Sequence, residues 1–309
     1  MIILYLLTYF SILVFFLLVI SKIFKYASAP VHIRWELYPV AHEGKKSKYG
    51  GSYFEEVDWW KKERKKDHVA EIAAMLEEII FLKGVFVHNR KLWWFSFPFH
   101  LGLYLVTTTF FLLIVSAILD IANVISLSQV EHGIGFVLHN LTLICGYGGM
   151  VLTFVGCIGL LLQRVTDQKF KFYNTPMDFV NLIFILLLAV SVAATLLNSN
   201  SSLLASKVFT RDLMTFNFAD ISDKWFIVHI ILISLFLLYF PMTKMMHLFA
   251  KYFTYHDVRW EDEPNVRGSK LESKVKEALN FGVSWSAPHM KTGKTWAEVA
   301  TTIPAEEKK

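Results

Sequence analysis

Five apolar runs govern what this chain can fold into: about Ile2–Ile20, Trp93–Leu119, Phe136–Leu162, Phe179–Leu197 and Trp225–Leu248. Each is long enough to cross the roughly 30 Å hydrocarbon core of a bilayer as a helix. A soluble domain of 309 residues rarely reaches a mean hydropathy of +0.43. The first run has no basic segment ahead of it and no small-residue cleavage site, and Lys22 and Lys25 follow it. It is therefore expected to remain as a first membrane helix rather than to be removed as a signal peptide.

Lysine and arginine set the orientation. The segments Ser21–Leu92, Gln163–Met177 and the tail from Lys244 hold twenty-eight of the thirty-one. The segment Asp120–Gly135 holds none, and Asn198–Lys224 holds Lys207, Arg211 and Lys224. The positive-inside rule makes the first group cytoplasmic. The expected architecture is an all-α, integral membrane five-helix bundle with a periplasmic N-terminus and a cytoplasmic C-terminus. Residues 1–20 form the first span, 21–92 a cytoplasmic loop, 93–248 the four remaining spans, and 249–309 a cytoplasmic tail. The net charge of +5 follows from this topology and needs no nucleic-acid partner; lipid is the partner it predicts.

Local signals refine the picture. Asp67 is placed to cap an amphipathic helix carrying Val69, Ile72, Met75, Leu76, Ile79 and Ile80, suited to a membrane surface, a partner or the protein's own cytoplasmic ends. Thr175, Pro176 and Asp178 mark the start of the fourth span. Gly146, Gly148, Gly149, Gly156 and Gly159 suit either close helix packing or a flat ligand. Cys145 and Cys157 are expected to be packing residues. The tail carries Trp260, Trp285 and Trp296, unusual for a disordered tail, and is expected to dock a cytoplasmic partner or to fold onto the first loop.

Histidine carries the chemistry. His32, His42, His68, His88, His256 and His289 fall outside the spans and are expected at surfaces or in loops. His100, His139, His229 and His247 fall inside, with His132 just outside the third span. On a continuous fifth helix, His229 and His247 are eighteen residues apart, about five turns and 27 Å. They would share one face and reach both leaflets. Counted from span ends, His100 matches His247 in depth on the cytoplasmic side, and His139 matches His229 on the periplasmic side. Ionisable residues within a membrane are usually functional. Three roles fit: axial haem ligands for electron transfer, a proton relay, or hydrogen bonds between helices. A relay should also recruit mid-membrane Asp or Glu, and none occurs.

The segment FPFHLGLYL, the pattern His229-x17-His247 ending in FPMTKMMH, and the five-span topology resemble the gamma subunit of respiratory nitrate reductase. The loop RWELYPVAHE…YGGSYFEEVDWW and the tail SWSAPH…GKTWAEVAT resemble more closely the cytochrome b subunits of sulfate-reducer-type transmembrane redox complexes. Those complexes have heterodisulfide-reductase-like partners. The resemblance implies haem b in a bacterial cytoplasmic (inner) membrane protein. It also implies a cytoplasmic iron–sulfur partner, and menaquinone or a periplasmic multihaem cytochrome c as the other electron partner.

His100 and His247 match the family's ligands to the cytoplasmic-side haem, and His229 one ligand of the periplasmic-side haem. The family's fourth histidine is replaced by Phe111, which cannot ligate iron. His139 is the expected substitute and His132 its rival; without either, one haem remains instead of two. Arg90, Lys91 and Lys251 stand where haem propionates or ordinary interface anchoring would use them. The expected function is that of an electron-transfer subunit of an oxidoreductase complex. A proton-conducting or purely structural membrane anchor without haem is the alternative. No nucleotide-binding loop, metalloprotease motif or nucleophile triad marks a self-contained enzyme.

Overall fold

The computed structural model describes residues 2–29, 39–128, 132–168, 173–198, 202–287, 290 and 292–302. His32 and His289 lie outside them, as does most of the RWELYP motif. Among the described residues, five helices have the length and apolar character to cross a membrane. They are α1 (Ile2–Ala27), α4 (Arg90–Ile121), α5 (Gly133–Thr166), α6 (Pro176–Asn198) and α8 (Lys224–Tyr239, continued by a 3-10 turn Phe240–Met242). Two shorter helices precede α4, namely α2 (His68–Ile80) and α3 (Lys83–His88), and α7 (Leu204–Thr215) lies between α6 and α8. The remainder are α9 (His247–Phe253), α10 (Lys270–Leu279) and α11 (Trp296–Thr301). Among the described residues the only β pairings are two isolated bridges, Gly282 with Thr295 and Ala287 with Met290. The all-helical, five-span expectation is met.

The chain divides into two compact units. One comprises Met1–Phe16 and Ala73–Met242; the other comprises Leu17–Ile72 and Thr243–Lys309.

The first unit is organised by glycine. A Cβ built on Gly156 of α5 would lie 2.5 Å from the backbone nitrogen of Phe99 on α4, and one on Gly149 would lie 2.9 Å from that of Val106. A Cβ on Gly102 of α4 would collide with Thr153. The two helices thus touch backbone to backbone, as small residues in membrane helices permit. Between α4 and α5 the glycines serve helix packing and leave no slot for a flat ligand. Cys157 is buried and donates its thiol to Leu182 O of α6 at 3.0 Å, so it packs and also ties two spans together. At the start of α6 the Asp178 carboxylate accepts from the Thr175 backbone N–H and hydroxyl, both at 2.8 Å. This is one half of a capping box. At the end of α2, exposed carbonyls are captured by α4: Tyr104 donates to Ile79 O at 2.6 Å and Trp93 Nε1 to Phe81 O at 2.8 Å.

A helix in the segment between the fourth and fifth spans was not expected. One face of α7 carries Leu203, Lys207 and Arg211, four residues apart. Leu203 lies against Gly146, Lys207 against His139, and Arg211 reaches Asp120 at 3.4 Å. The opposite face puts Phe209 into a core with Leu4, Tyr5, Phe226 and Ile230. So α7 is a wedge joining the α4–α5 hairpin to α1 and α8.

The fifth span departs from expectation. It is not one helix from Trp225 to Tyr252. α8 stops at Tyr239, Pro241 sits in a 3-10 turn, and Thr243 is extended (φ −117°, ψ 175°). Proline lacks an amide hydrogen and clashes with the carbonyl four residues back, and Thr243 then caps a new turn by accepting from Met245 N at 3.2 Å. Pro98, by contrast, is accommodated inside α4. The helical-phase argument linking His229 to His247 therefore fails, because the helix that would carry it is broken.

Candidate functional site

Each of the four histidines expected in the spans has an identifiable partner at Nδ1, but the structure places His247 beyond the fifth span, which ends at Met242, and exposed. His100 Nδ1 lies 2.7 Å from Ser96 O, and His247 Nδ1 lies 2.8 Å from Lys244 O. A carbonyl only accepts, so both rings carry their proton on Nδ1 and their lone pair on Nε2. His229 Nδ1 lies 2.9 Å from Ser191 Oγ, whose own proton goes to Leu188 O at 2.8 Å. Ser191 therefore accepts from His229, and the same tautomer results. Metal-bound histidines are held in this way, with the far ring nitrogen donating to a fixed acceptor.

His139 differs. Its Nδ1 lies 2.8 Å from Lys207 Nζ, and Lys207 is buried at 2 % exposure. Burial pulls the Lys207 amine below the usual lysine range. Where Lys207 keeps its proton it can only donate, and the ring proton of His139 is then on Nε2, the nitrogen that would have to bind a metal; a neutral amine could also accept from Nδ1.

Contacts also place the spans on a common ruler. Phe99 abuts Gly156, the adjacent Cys157 bonds Leu182, and Ser191 bonds His229. At 1.5 Å per residue, Ser191 and the His229 ring lie about 14 Å from the level of Cys157, toward the α7 end. Phe111, twelve residues beyond Phe99, lies about 18 Å out on that scale, with its side chain leaning back along α4. His139 is eighteen residues before Cys157 and lies about 27 Å out. The expected depth match of His139 with His229 is thus corrected: they stand about 13 Å apart along the bundle. The cause is the length of α5, whose first turns project beyond the end of α6 and are covered by α7. His132, at the N-terminal boundary of α5 and exposed, lies farther out still.

Residues 84–261 match the family model of the nitrate reductase gamma subunit, more than half of the chain. The chain belongs to the nitrate reductase gamma subunit family. No curated protein and no solved structure matches it. The gamma-subunit family is one of membrane cytochrome b electron-transfer subunits that bind haem b and work within multi-subunit complexes, and the five apolar helices here agree with a multi-pass membrane protein. The tautomers of His100, His229 and His247 fit an axial ligand, whereas the depth and partner of His139 do not. No group of three or more His, Cys, Asp or Glu side chains suited to a bare metal ion occurs among the described residues, and haem needs none.

A second polar centre of this gamma-subunit relative lies in the unit of loop and tail. His42, expected at a surface, is 1 % exposed; its Nε2 is 2.6 Å from Asp262 Oδ2 and its Nδ1 is 3.5 Å from Glu71 Oε1. Glu71 also holds His256 at 3.3 Å and His68 at 3.0 Å. Asp262 is also held by Arg64 at 3.0 Å and Lys66 at 3.3 Å. Trp260 is buried against the rings of His42, Tyr255 and His256. The first part of the tail is therefore folded onto the first loop, while Trp285 and Trp296 remain substantially exposed. Nothing local in the sequence links His42 to Asp262; only buried charge seeking partners does. Arg90 and Lys251 rest over the rings of Phe86 and Tyr255.

Proposed function

We propose that this gamma-subunit relative carries electrons across a bacterial cytoplasmic membrane, with its N-terminus periplasmic. It would link menaquinone or a periplasmic multihaem cytochrome c to a cytoplasmic iron–sulfur subunit of the heterodisulfide-reductase-like kind. The observation that supports the reading most is the Nδ1 acceptor held by each of His100, His229 and His247. His100 and His247 are proposed as the two ligands of the cytoplasmic-side haem. Their pairing rests on sequence depth and on the family resemblance. His229 is proposed as a ligand of the second haem.

Bound haem b supplies reversible one-electron chemistry at its iron. The chain's own task is to orient the imidazoles, through Ser96 O, Ser191 Oγ and Lys244 O, and to set His100 and His229 among apolar spans. No side chain here is assigned a bond-breaking step, and the protein is read as a subunit of an oxidoreductase rather than as an enzyme in itself.

A pyridine haemochrome assay and a reduced-minus-oxidised spectrum on the purified chain test the proposal. The expected result is a b-type signal that falls in His100→Ala. A protein without haem would refute the reading and favour a proton-conducting or structural anchor.

A further inference from the structure

Helix α7 carries a buried carboxylate that electron transfer does not use. Asp212 is 1 % exposed. Its Oδ1 accepts from Arg211 Nε at 3.2 Å, from Arg211 Nη2 at 2.9 Å and from Asn217 Nδ2 at 3.3 Å. Its Oδ2 is buried with no hydrogen-bond partner among the described residues. Arg211 also reaches Asp120 at 3.4 Å, so one guanidinium serves two carboxylates. Lys207, one turn earlier on α7, is turned to His139. A buried carboxylate with a bare oxygen and a shared counter-charge is costly unless a further donor meets it.

Asp212 stands in the wall of a cavity of about 180 Å³. Arg211 and Asn217 do not line that cavity, so Oδ2 is the oxygen left to face it. Asp220 and Asp223 line it too, and among the described lining residues none is basic. Asp223 is partly committed, because its Oδ1 caps α8 by accepting from Trp225 N at 2.9 Å. The remaining wall is largely aromatic. The ring of Phe209 lies 4.9 Å from that of Tyr5 and 5.7 Å from that of Phe226, and all three line the cavity. The Tyr5 hydroxyl is turned to Ala219 O at 3.4 Å.

This chemistry selects a ligand class. A carboxylate oxygen beside aromatic rings suits an organic cation, and the acids here form no group suited to a bare metal ion. Oδ2 needs an N–H donor, which a primary ammonium has and a quaternary one lacks. The cavity lies where α1 and α8, two of the spans, begin. The ends of spans stand at the headgroup layer of a bilayer.

We infer that this cavity binds a primary ammonium group, which donates to Asp212 Oδ2 among the rings of Tyr5, Phe209 and Phe226, and that a phosphatidylethanolamine headgroup supplies it. The bound headgroup fastens α1 to α7 and α8, whose residues share the cavity wall.

The test uses the full chain in phosphatidylcholine nanodiscs, alone or doped with phosphatidylethanolamine or phosphatidylglycerol. Retained lipid is counted by native mass spectrometry and the melting temperature is measured. Retention of phosphatidylethanolamine above the other two lipids is expected, with a higher melting temperature. Asp212→Asn should weaken that retention at least about tenfold, as loss of a charge-assisted hydrogen bond does. Because Asp212→Asn also disturbs Arg211, Ala205→Leu serves as a second variant. It fills the cavity from α7, leaves the Arg211 pair in place, and should abolish the preference in a protein that still folds. Ethanolamine chloride added to phosphatidylcholine nanodiscs tests the free amine.

Equal retention of phosphatidylcholine and phosphatidylethanolamine would overturn the ammonium assignment. Selective retention indifferent to both variants would place the lipid elsewhere and overturn the site. Stabilisation by ethanolamine without selective lipid retention would overturn the lipid source and keep the ammonium site. No response to either amine would leave Oδ2 to water alone and refute the inference. None of these readouts involves haem, so failure here and failure of the proposed function are distinguishable.

Discussion

His42 Nε2 lies 2.6 Å from Asp262 Oδ2 across 220 residues of sequence, and both side chains are almost wholly buried. The contact joins the first loop to the tail. Removing one member of a buried charged pair is costly, because the other is left without compensation. Asp262→Ala should destabilise the loop–tail unit by about 3 kcal/mol. Limited proteolysis should then cut the tail faster, with the haem spectrum preserved.

His256 supplies a pH dependence. Burial depresses its pKa, joined by Lys66 and His42, against the opposing pull of Glu71 and Asp257. The folded unit therefore favours neutral His256, while an unfolded histidine titrates near 6.5. The unfolded state binds more protons below that value, so this stability is present above about pH 6.5 and is lost as pH falls from there toward the depressed folded value. Tail proteolysis should be faster at about pH 5.5 than at pH 7.5, and His256→Gln should flatten the difference.

Gly156 has no room for a methyl group against the Phe99 backbone nitrogen. Gly156→Ala forces α4 and α5 apart at an expected cost of about 1–3 kcal/mol. A lower melting temperature in detergent, with reduced haem retention, is the outcome to measure. Gly133→Ala is not a suitable control, since its φ of +68° adds strain of its own.

Ser191→Ala removes the acceptor that orients His229. Loss of such an outer partner typically weakens metal binding by about 10–100-fold. Haem titration should show one site weakened to that degree and the other unchanged. Ser191→Thr, which keeps the hydroxyl, should restore most of the affinity.

The spans, the Thr175–Asp178 start of α6 and the glycine packing were legible because each depends on residues close in sequence or on bulk apolarity. The break after α8 was also legible in principle, since Pro241 and Thr243 stand in the very segment taken as continuous. Apolar composition outweighed the proline in that reading. The depth of His139 was not legible. It depends on α5 overshooting α6, which only contacts between helices disclose, and α7 covers the overshoot with a face of Leu203, Lys207 and Arg211. The burial of His42 was hidden for the same reason: its partner is 220 residues away.

The backbone contact between α4 and α5 has a kinetic meaning under the cytochrome reading. Electron tunnelling weakens exponentially with the gap between redox centres, so a conducting protein must hold that gap against thermal jitter. Side chains can change rotamer, but main-chain atoms pressed against each other at Gly149 and Gly156 have little freedom to slide. Under that reading the glycines that look like mere economy of space would act as a gauge block, holding the α4 helix that carries His100 at a fixed height against α5.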